Sequence, residues 1–172
     1  MKYSNYGIVF WISGLSGSGK STLGKHLKPM LEKKYGKTIL IHGDDIREIF
    51  KFESYTKAER LKLGKSYSNI CKLFSKQKIN VIFTTVGLFN KLFLYNRKNL
   101  KNYVEIYIKT NIQKLKKNRS KSFYKVKTNN VWGLDLKPEY PKRPDILIEN
   151  NFDKSTIKLA NIVFKEIKKI KK

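Results

Sequence analysis

Cysteine is all but missing from this chain. One residue, Cys71, stands among 172, which excludes an internal disulfide and points to a reducing, cytoplasmic compartment. Cys71 lies in the apolar run Asn69-Ile70-Cys71-Lys72-Leu73-Phe74, so it reads as a buried helix position rather than a reactive thiol. Proline is scarce too, at 4 residues, and no linker-like stretch or internal repeat divides the sequence. A single domain over 1–172 is expected. No run of 18 apolar residues occurs, so no membrane-spanning helix is expected. The start, Met1-Lys2-Tyr3-Ser4-Asn5-Tyr6, lacks the basic-then-apolar pattern of a signal peptide. His and Cys nowhere cluster at zinc spacing.

Acidic residues are the other shortage: 13 Asp and Glu face 38 Lys and Arg, for a net charge of +25. Charge of that size raises nucleic acid or an acidic membrane as partners. Yet 33 of the 38 cations are lysines, spread from end to end in a chain poor in Arg. That is the pattern of an AT-rich coding composition with a solvated lysine surface. The expectation is therefore no nucleic-acid and no membrane partner, although the positive field would steer phosphorylated substrates. What is present is a folded protein's complement, 40% hydrophobic and 13% aromatic, which excludes a disordered chain.

Strand-like and helix-like segments alternate. Gly7-Ile8-Val9-Phe10-Trp11-Ile12-Ser13 is a nearly continuous apolar run, as for a strand buried on both faces. Helical spacing follows over 20–35 (Leu23, Leu27, Met30, Leu31), with Gly36 as a stop. Residues 38–42, 80–85, 103–108 and 145–149 read as further strands. Residues 57–77 and the tail from about 154 read as helices, the latter amphipathic through Ile157, Ile162, Val163 and Ile167. A polar, basic stretch occupies about 111–143. This order predicts an α/β fold: three layers, a central parallel five-stranded sheet with helices on both faces, and a basic lid. Ligands in such sheets bind at the carboxyl ends of the strands.

The strongest motif is Gly14-Leu15-Ser16-Gly17-Ser18-Gly19-Lys20-Ser21, a complete G-x-x-x-x-G-K-[ST] phosphate loop between the first strand and the first helix. Its glycines let backbone N–H groups turn toward phosphate oxygens, and the helix N-terminus adds positive partial charge. Gly14, Ser16, Gly17, Ser18, Gly19, Lys20, Ser21 and Thr22 are the candidate ATP-binding residues. Lys20 would reach the β- and γ-phosphates, and the Ser21 hydroxyl would ligate Mg²⁺. The strand Val81-Ile82-Phe83-Thr84-Thr85 ends in threonines where a GTPase or motor places its Asp. The acidic pair stands instead after the second strand, in His42-Gly43-Asp44-Asp45-Ile46-Arg47. There Asp44 would bind Mg²⁺ or orient an accepting hydroxyl, and Arg47 would hold an anionic substrate group. Either Asp44 or Asp45 is alternatively a helix N-cap. His42 fits a structural or substrate-contact role better than a general base, with Asp44 two residues away. Among the aromatics Phe83, Phe89, Phe93, Phe123 and Trp132, most are expected in the core, with Phe89 and Phe123 the candidates for stacking on a base.

With these two motifs in place, Gly14–Thr22 and Gly43–Arg47, the chain resembles the adenylyl-sulfate (APS) kinase family. The similarity runs over about 140 residues. Arg60 matches the arginine opening the family's long helix, and Leu73-Phe74 matches an element near that helix's end. Arg97 matches a later arginine. Arg119-Ser120-Lys121-Ser122-Phe123-Tyr124-Lys125 is similar to the lid motif, and Glu139-Tyr140-Pro141 to the Glu-x-Pro signature. The resemblance implies ATP and Mg²⁺ as cofactors and a small-molecule nucleotide as substrate, phosphorylated on its ribose 3′-hydroxyl. It also implies a homodimer. Lys20, Asp44 and Arg119 would be catalytic, Ser21 and Asp44 would hold the metal, and Asp45, Arg47, Arg60, Phe89, Lys121 and Phe123 would bind the substrate.

The departures fall mostly on the acceptor side. The family's Asp before the Gly-Asp pair is His42, Glu-Asn after Arg60 is Lys62-Leu63, Ile-Ser-Pro is Val86-Gly87-Leu88-Phe89, and an expected arginine is Phe93. Composition and divergence together resemble the cytidine diphosphoramidate kinase branch of capsule biosynthesis, with adenylyl sulfate as the alternative acceptor. Two further readings stand beside it: a P-loop kinase for a metabolite or nucleoside monophosphate, and a basic nucleic-acid-binding module with an ATP site.

Overall fold

A computed structural model describes residues 5–52, 56–118 and 137–170. Five strands, β1 (Val9–Gly14), β2 (Thr38–His42), β3 (Asn80–Thr85), β4 (Tyr103–Lys109) and β5 (Ile146–Glu149), form one sheet in the order β2-β3-β1-β4-β5. Every pairing is parallel. β1 is central and wholly buried because both of its faces are covered. Phe10 and Ile12 join Leu23, Leu27 and Leu31 of α1 (Lys20–Tyr35) and Leu159, Val163 and Ile167 of α6 (Thr156–Lys169). Val9 and Trp11 join Tyr67 and Cys71 of α3 (Lys57–Lys76) and Leu92 and Phe93 of α4 (Asn90–Asn99). The α/β three-layer expectation is met, and its strands and long helices lie where the apolar patterning placed them. Among the described residues no helix is long and apolar enough to cross a membrane.

Local signals explain the ends of the elements. α3 starts on a reciprocal capping box, Thr56 accepting from the Glu59 N–H at 3.3 Å and the Glu59 carboxylate accepting from the Thr56 N–H at 3.2 Å. α6 starts on Ser155, which accepts from the Lys158 N–H at 3.3 Å. α1 ends at Gly36, φ 85°, whose N–H donates to the Glu32 carbonyl. α1 also runs through Pro29, which has no N–H for the preceding turn.

The structure differs from expectation in three places. β1 begins at Val9 rather than Gly7, because the Gly7 N–H donates to the Ser75 carbonyl at the end of α3 and not to a strand. A Cβ on Gly7 would meet the Ile79 carbonyl oxygen at 2.1 Å, so only glycine fits this crossing. α4 is not among the expected helices, and α2 (Gly43–Ile49), expected only through the alternative of Asp44 or Asp45 as an N-cap, starts at Gly43. α2 is too short to show a period, and α4 turns only Leu92, Phe93 and the polar Asn96 inward. Of the basic stretch at about 111–143, the described ends are α5 (Ile112–Asn118) and an irregular segment from Lys137 to Asp145. The remainder of the expected lid lies outside the described residues.

Candidate active site

The carboxyl edge of the sheet gathers the site. Ser13 of β1 pairs with Thr85 of β3, so the phosphate loop leaving β1 and the segment leaving β3 emerge side by side. Gly14, Gly17 and Gly19 have φ of 154°, 80° and 94°, a left-handed backbone that side chains disfavour. A Cβ on Gly14 would also meet the Ile108 carbonyl oxygen at 2.7 Å. The Lys20 ammonium curls over the loop and donates to the Leu15 carbonyl at 2.8 Å. The Ser18 N–H closes the turn on Leu15 at 3.1 Å. Ser21 and Thr22 are exposed at the start of α1, where the first-turn N–H groups have no acceptor within the helix.

One residue of the loop's support escaped the sequence. Asn150, buried just after β5, donates from Nδ2 to the Ser18 carbonyl at 3.0 Å, while its Oδ1 accepts from the Phe152 N–H at 3.0 Å. Its N–H also donates to the Lys109 carbonyl. A lone Asn 132 positions away from its partner carries no local pattern.

A cleft opens beside the loop, lined by Asp44 and Arg47 from α2, Arg60, Leu63, Gly64 and Tyr67 from α3, and Thr85, Val86, Gly87 and Phe89 after β3. Asp44, Arg47, Arg60 and Phe89, which the sequence singled out separately, therefore meet in one place. Asp45 does not line the cleft; it is exposed on the same first turn of α2. Neither Asp is an N-cap, because His42 occupies that position. Both carboxylates still favour the positive end of that helix. His42 Nδ1 lies 2.7 Å from the Thr84 hydroxyl, at the ends of two paired strands. Phe83 and Phe93 are core residues, Phe83 stacked on Trp11 at 4.9 Å, while Phe89 is buried yet reaches the cleft. Arg119, Lys121, Phe123 and Trp132 lie outside the described residues.

Tyr67 of α3 is buried and also lines the cleft. Its hydroxyl donates to the Gly43 carbonyl at 2.9 Å. Burial is the main influence pushing that phenol far above its usual range, with Arg47 pulling down and Asp44 pushing up. Arg97 has a different role: it donates to Glu105 Oε2 at 2.6 Å, stands 3.4 Å from Asp145 Oδ2, and donates to the Arg143 carbonyl at 2.9 Å. Asp145 in turn accepts the Glu105 N–H at 2.8 Å. This clasp holds the approach to β5 against β4. Among the described residues no three His, Cys, Asp or Glu side chains group as metal ligands.

Comparison with known proteins agrees with this architecture. The family described as "Adenylylsulphate kinase" matches residues 6–149. The cytidine diphosphoramidate kinase of Campylobacter jejuni is 33% identical over 171 residues, covering 97% of this chain and 99% of that protein. The adenylyl-sulfate kinase of Clostridium acetobutylicum is 34% identical over 163 residues, covering 91% and 82%. Among solved structures, the APS kinase of Mycobacterium tuberculosis in complex with AMPPNP and APS superposes with a TM-score of 0.86 at 22% identity, covering 95% and 98%. A gluconokinase from Sinorhizobium meliloti shares the fold more loosely, with a TM-score of 0.64 at 13% identity, covering 97% and 94%. Phosphate loop, parallel sheet and sequence agree: the chain belongs to the adenylylsulphate kinase family.

Proposed function

We propose that this protein transfers the γ-phosphoryl group of MgATP to the ribose 3′-hydroxyl of a nucleotide carrying a charged anhydride. The observation that carries the proposal is that the phosphate loop leaves β1 next to Thr85, which lines a cleft holding one carboxylate, Asp44, and two guanidinium groups, Arg47 and Arg60. The loop fits a polyphosphate: its glycines take positive φ, and the Ser18 hydroxyl is buried without a hydrogen-bond partner. Bound MgATP supplies the electrophilic phosphorus. Lys20, which here donates to the Leu15 carbonyl, would neutralise β- and γ-phosphate charge, and the Ser21 hydroxyl would help hold the metal. Asp44 orients the acceptor hydroxyl and takes its proton as the new P–O bond forms and the bond to ADP breaks. Arg47 and Arg60 hold the acceptor's anionic groups, and Phe89 lies beside them for its base.

Within that class we favour cytidine diphosphoramidate, on the near full-length match to a kinase of that name. Adenylyl sulfate is the second reading, favoured by a relative of similar identity. The test is ATP-dependent ADP release with cytidine diphosphoramidate, adenylyl sulfate, CMP and AMP offered separately. Turnover with one anhydride is expected, with Lys20→Ala reduced by about a hundredfold or more. Turnover of a plain monophosphate alone, or full activity of Lys20→Ala, contradicts the assignment.

A further inference from the structure

Glu139 lies outside the cleft, on the segment leading back toward β5, yet it touches both of the cleft's walls. One carboxylate oxygen, Oε1, accepts from the Lys57 ammonium at 2.7 Å. The other, Oε2, accepts from the Asn90 N–H at 2.9 Å. The Glu139 N–H donates to the Leu88 carbonyl at 3.0 Å. Lys57 is the first residue of α3, one turn before Arg60, which lines the cleft. Leu88 and Asn90 flank Phe89, which lines it from the other side.

The segment carrying Phe89 needs such an anchor. Phe89 occupies the N-cap position of α4 but has no side-chain oxygen to cap it, and the first turn of α4 holds no acidic residue. The Asn90 N–H, one of the first-turn donors with no acceptor within the helix, is served by a carboxylate 49 positions further along the chain. Gly87, at φ 38°, makes the preceding turn tight, so a displacement of Asn90 passes directly to Phe89. Lys57 is 59% exposed and Glu139 30%, and a pair so exposed adds little to folding stability. Its geometric effect is the larger one, because one carboxylate bonds the first residue of α3 to the first residue of α4, two helices that meet again further along where the Tyr95 hydroxyl donates to Asn69 at 3.0 Å.

We propose that Glu139 is a positioning residue: by bonding Lys57 and Asn90 together it fixes the spacing between the wall bearing Arg60 and the wall bearing Phe89, and so governs acceptor affinity without touching ATP. The inference rests on reading the cleft as the acceptor site. Loss of the carboxylate frees both walls at once, whereas the phosphate loop, supported by Leu15 and Asn150, keeps its shape.

The test uses the full chain with Glu139→Ala, Glu139→Gln and Lys57→Met, and two measurements. In steady-state assays with cytidine diphosphoramidate and with adenylyl sulfate, Glu139→Ala is expected to raise the acceptor KM about tenfold while the ATP KM moves less than about twofold. Glu139→Gln, which keeps an acceptor for Asn90, is expected to recover part of that loss. Hydrogen exchange without any substrate is expected to quicken in peptides spanning 57–64 and 86–92 together and to stay unchanged over 14–24. An acceptor KM that stays constant, or that moves in step with the ATP KM, overturns the inference. So does exchange that quickens in one wall only, or throughout the chain. If the unmodified protein turns over neither acceptor, the functional reading falls, and exchange still decides whether Glu139 couples the walls.

Discussion

The Tyr67 hydroxyl donates to the carbonyl of Gly43, the residue directly before Asp44, at 2.9 Å. Its ring packs against Phe83, with centroids 5.0 Å apart. One side chain thus spans from the core to the first turn of α2, and the tie fixes where the peptide carrying Asp44 sits relative to the cleft wall on α3.

Tyr67→Phe removes the tie and keeps the ring. The Gly43 carbonyl then keeps only its helical partner, the Arg47 N–H, and the lost bond costs about 0.5–1.5 kcal/mol. A comparable misplacement of Asp44 lowers kcat by about tenfold, since each 1.4 kcal/mol is a factor of ten. The ATP KM is expected to hold. Parallel thermal melts and kinetics check this; a lowered melting point with unchanged kcat would reduce Tyr67 to a core residue.

Arg97→Met strands a carboxylate. The Glu105 side chain is 2% exposed and has Arg97 as its ion-pair partner, with Asp145 alongside. Breaking a buried pair from one side costs about 3–5 kcal/mol, which for a chain of this size lowers the melting point by about 6–20 °C. Arg97 is itself 37% exposed, so the lower end is expected. Arg97→Met combined with Glu105→Leu is expected to recover most of the loss. Urea unfolding of the two variants makes the comparison, and a double variant no better than the single contradicts it.

The Glu139 carboxyl is held below the usual carboxylate range, chiefly by the Lys57 hydrogen bond and then by the Asn90 N–H. A depressed folded-state pKa contributes stability that is present above the unfolded value, about 4.3, and is lost as pH falls through the lower folded value. A small stability gap between wild type and Glu139→Gln, of the size expected for an exposed pair, is therefore expected at pH 7 and shrinks with acidification. Denaturant titrations from pH 7 downward measure it; a gap independent of pH goes against the assignment.

Cys71 is fully buried on α3, and burial pushes its thiol far above the usual range. The thiolate is the reactive form, so a thiol-specific reagent at pH 8 is expected to leave the folded protein unmodified and to react promptly after denaturation. Fast labelling of the native protein would place Cys71 at a surface.

Much of the fold was legible in the sequence. The runs at 9–12, 81–83 and 106–108 are wholly apolar because both sheet faces are covered, and that pattern survives without knowledge of the neighbours. α4 was not legible, and α2 only as a helix start at Asp44 or Asp45. Seven residues cannot display a helical period, and α4 turns Asn96 inward to donate to the Tyr103 hydroxyl at 3.3 Å. Of the candidate substrate residues, Arg47, Arg60 and Phe89 converge on the cleft with Asp44, while Asp45 does not line it.

The sequence alone determined the phosphate loop, because its chemistry is carried by contiguous backbone whose glycines and lysine need no distant partner. It also determined the alternation of strand and helix, since apolar period is a local property. Only the tertiary structure decided which of two adjacent carboxylates faces the cleft. Neighbours on an α-helix point about 100° apart, given 3.6 residues per turn, and the direction of the cleft is set by α3 and the segment after β3. The tertiary structure likewise decided that Asn150 supports the loop, that Arg97 serves Glu105, and that Glu139 joins Lys57 to Asn90. Asn150 and Glu139 meet partners 132 and 49–82 positions away, and the Arg97–Glu105 bond depends on how α4 lies across β4. Such contacts exist only once the chain has closed its sheet.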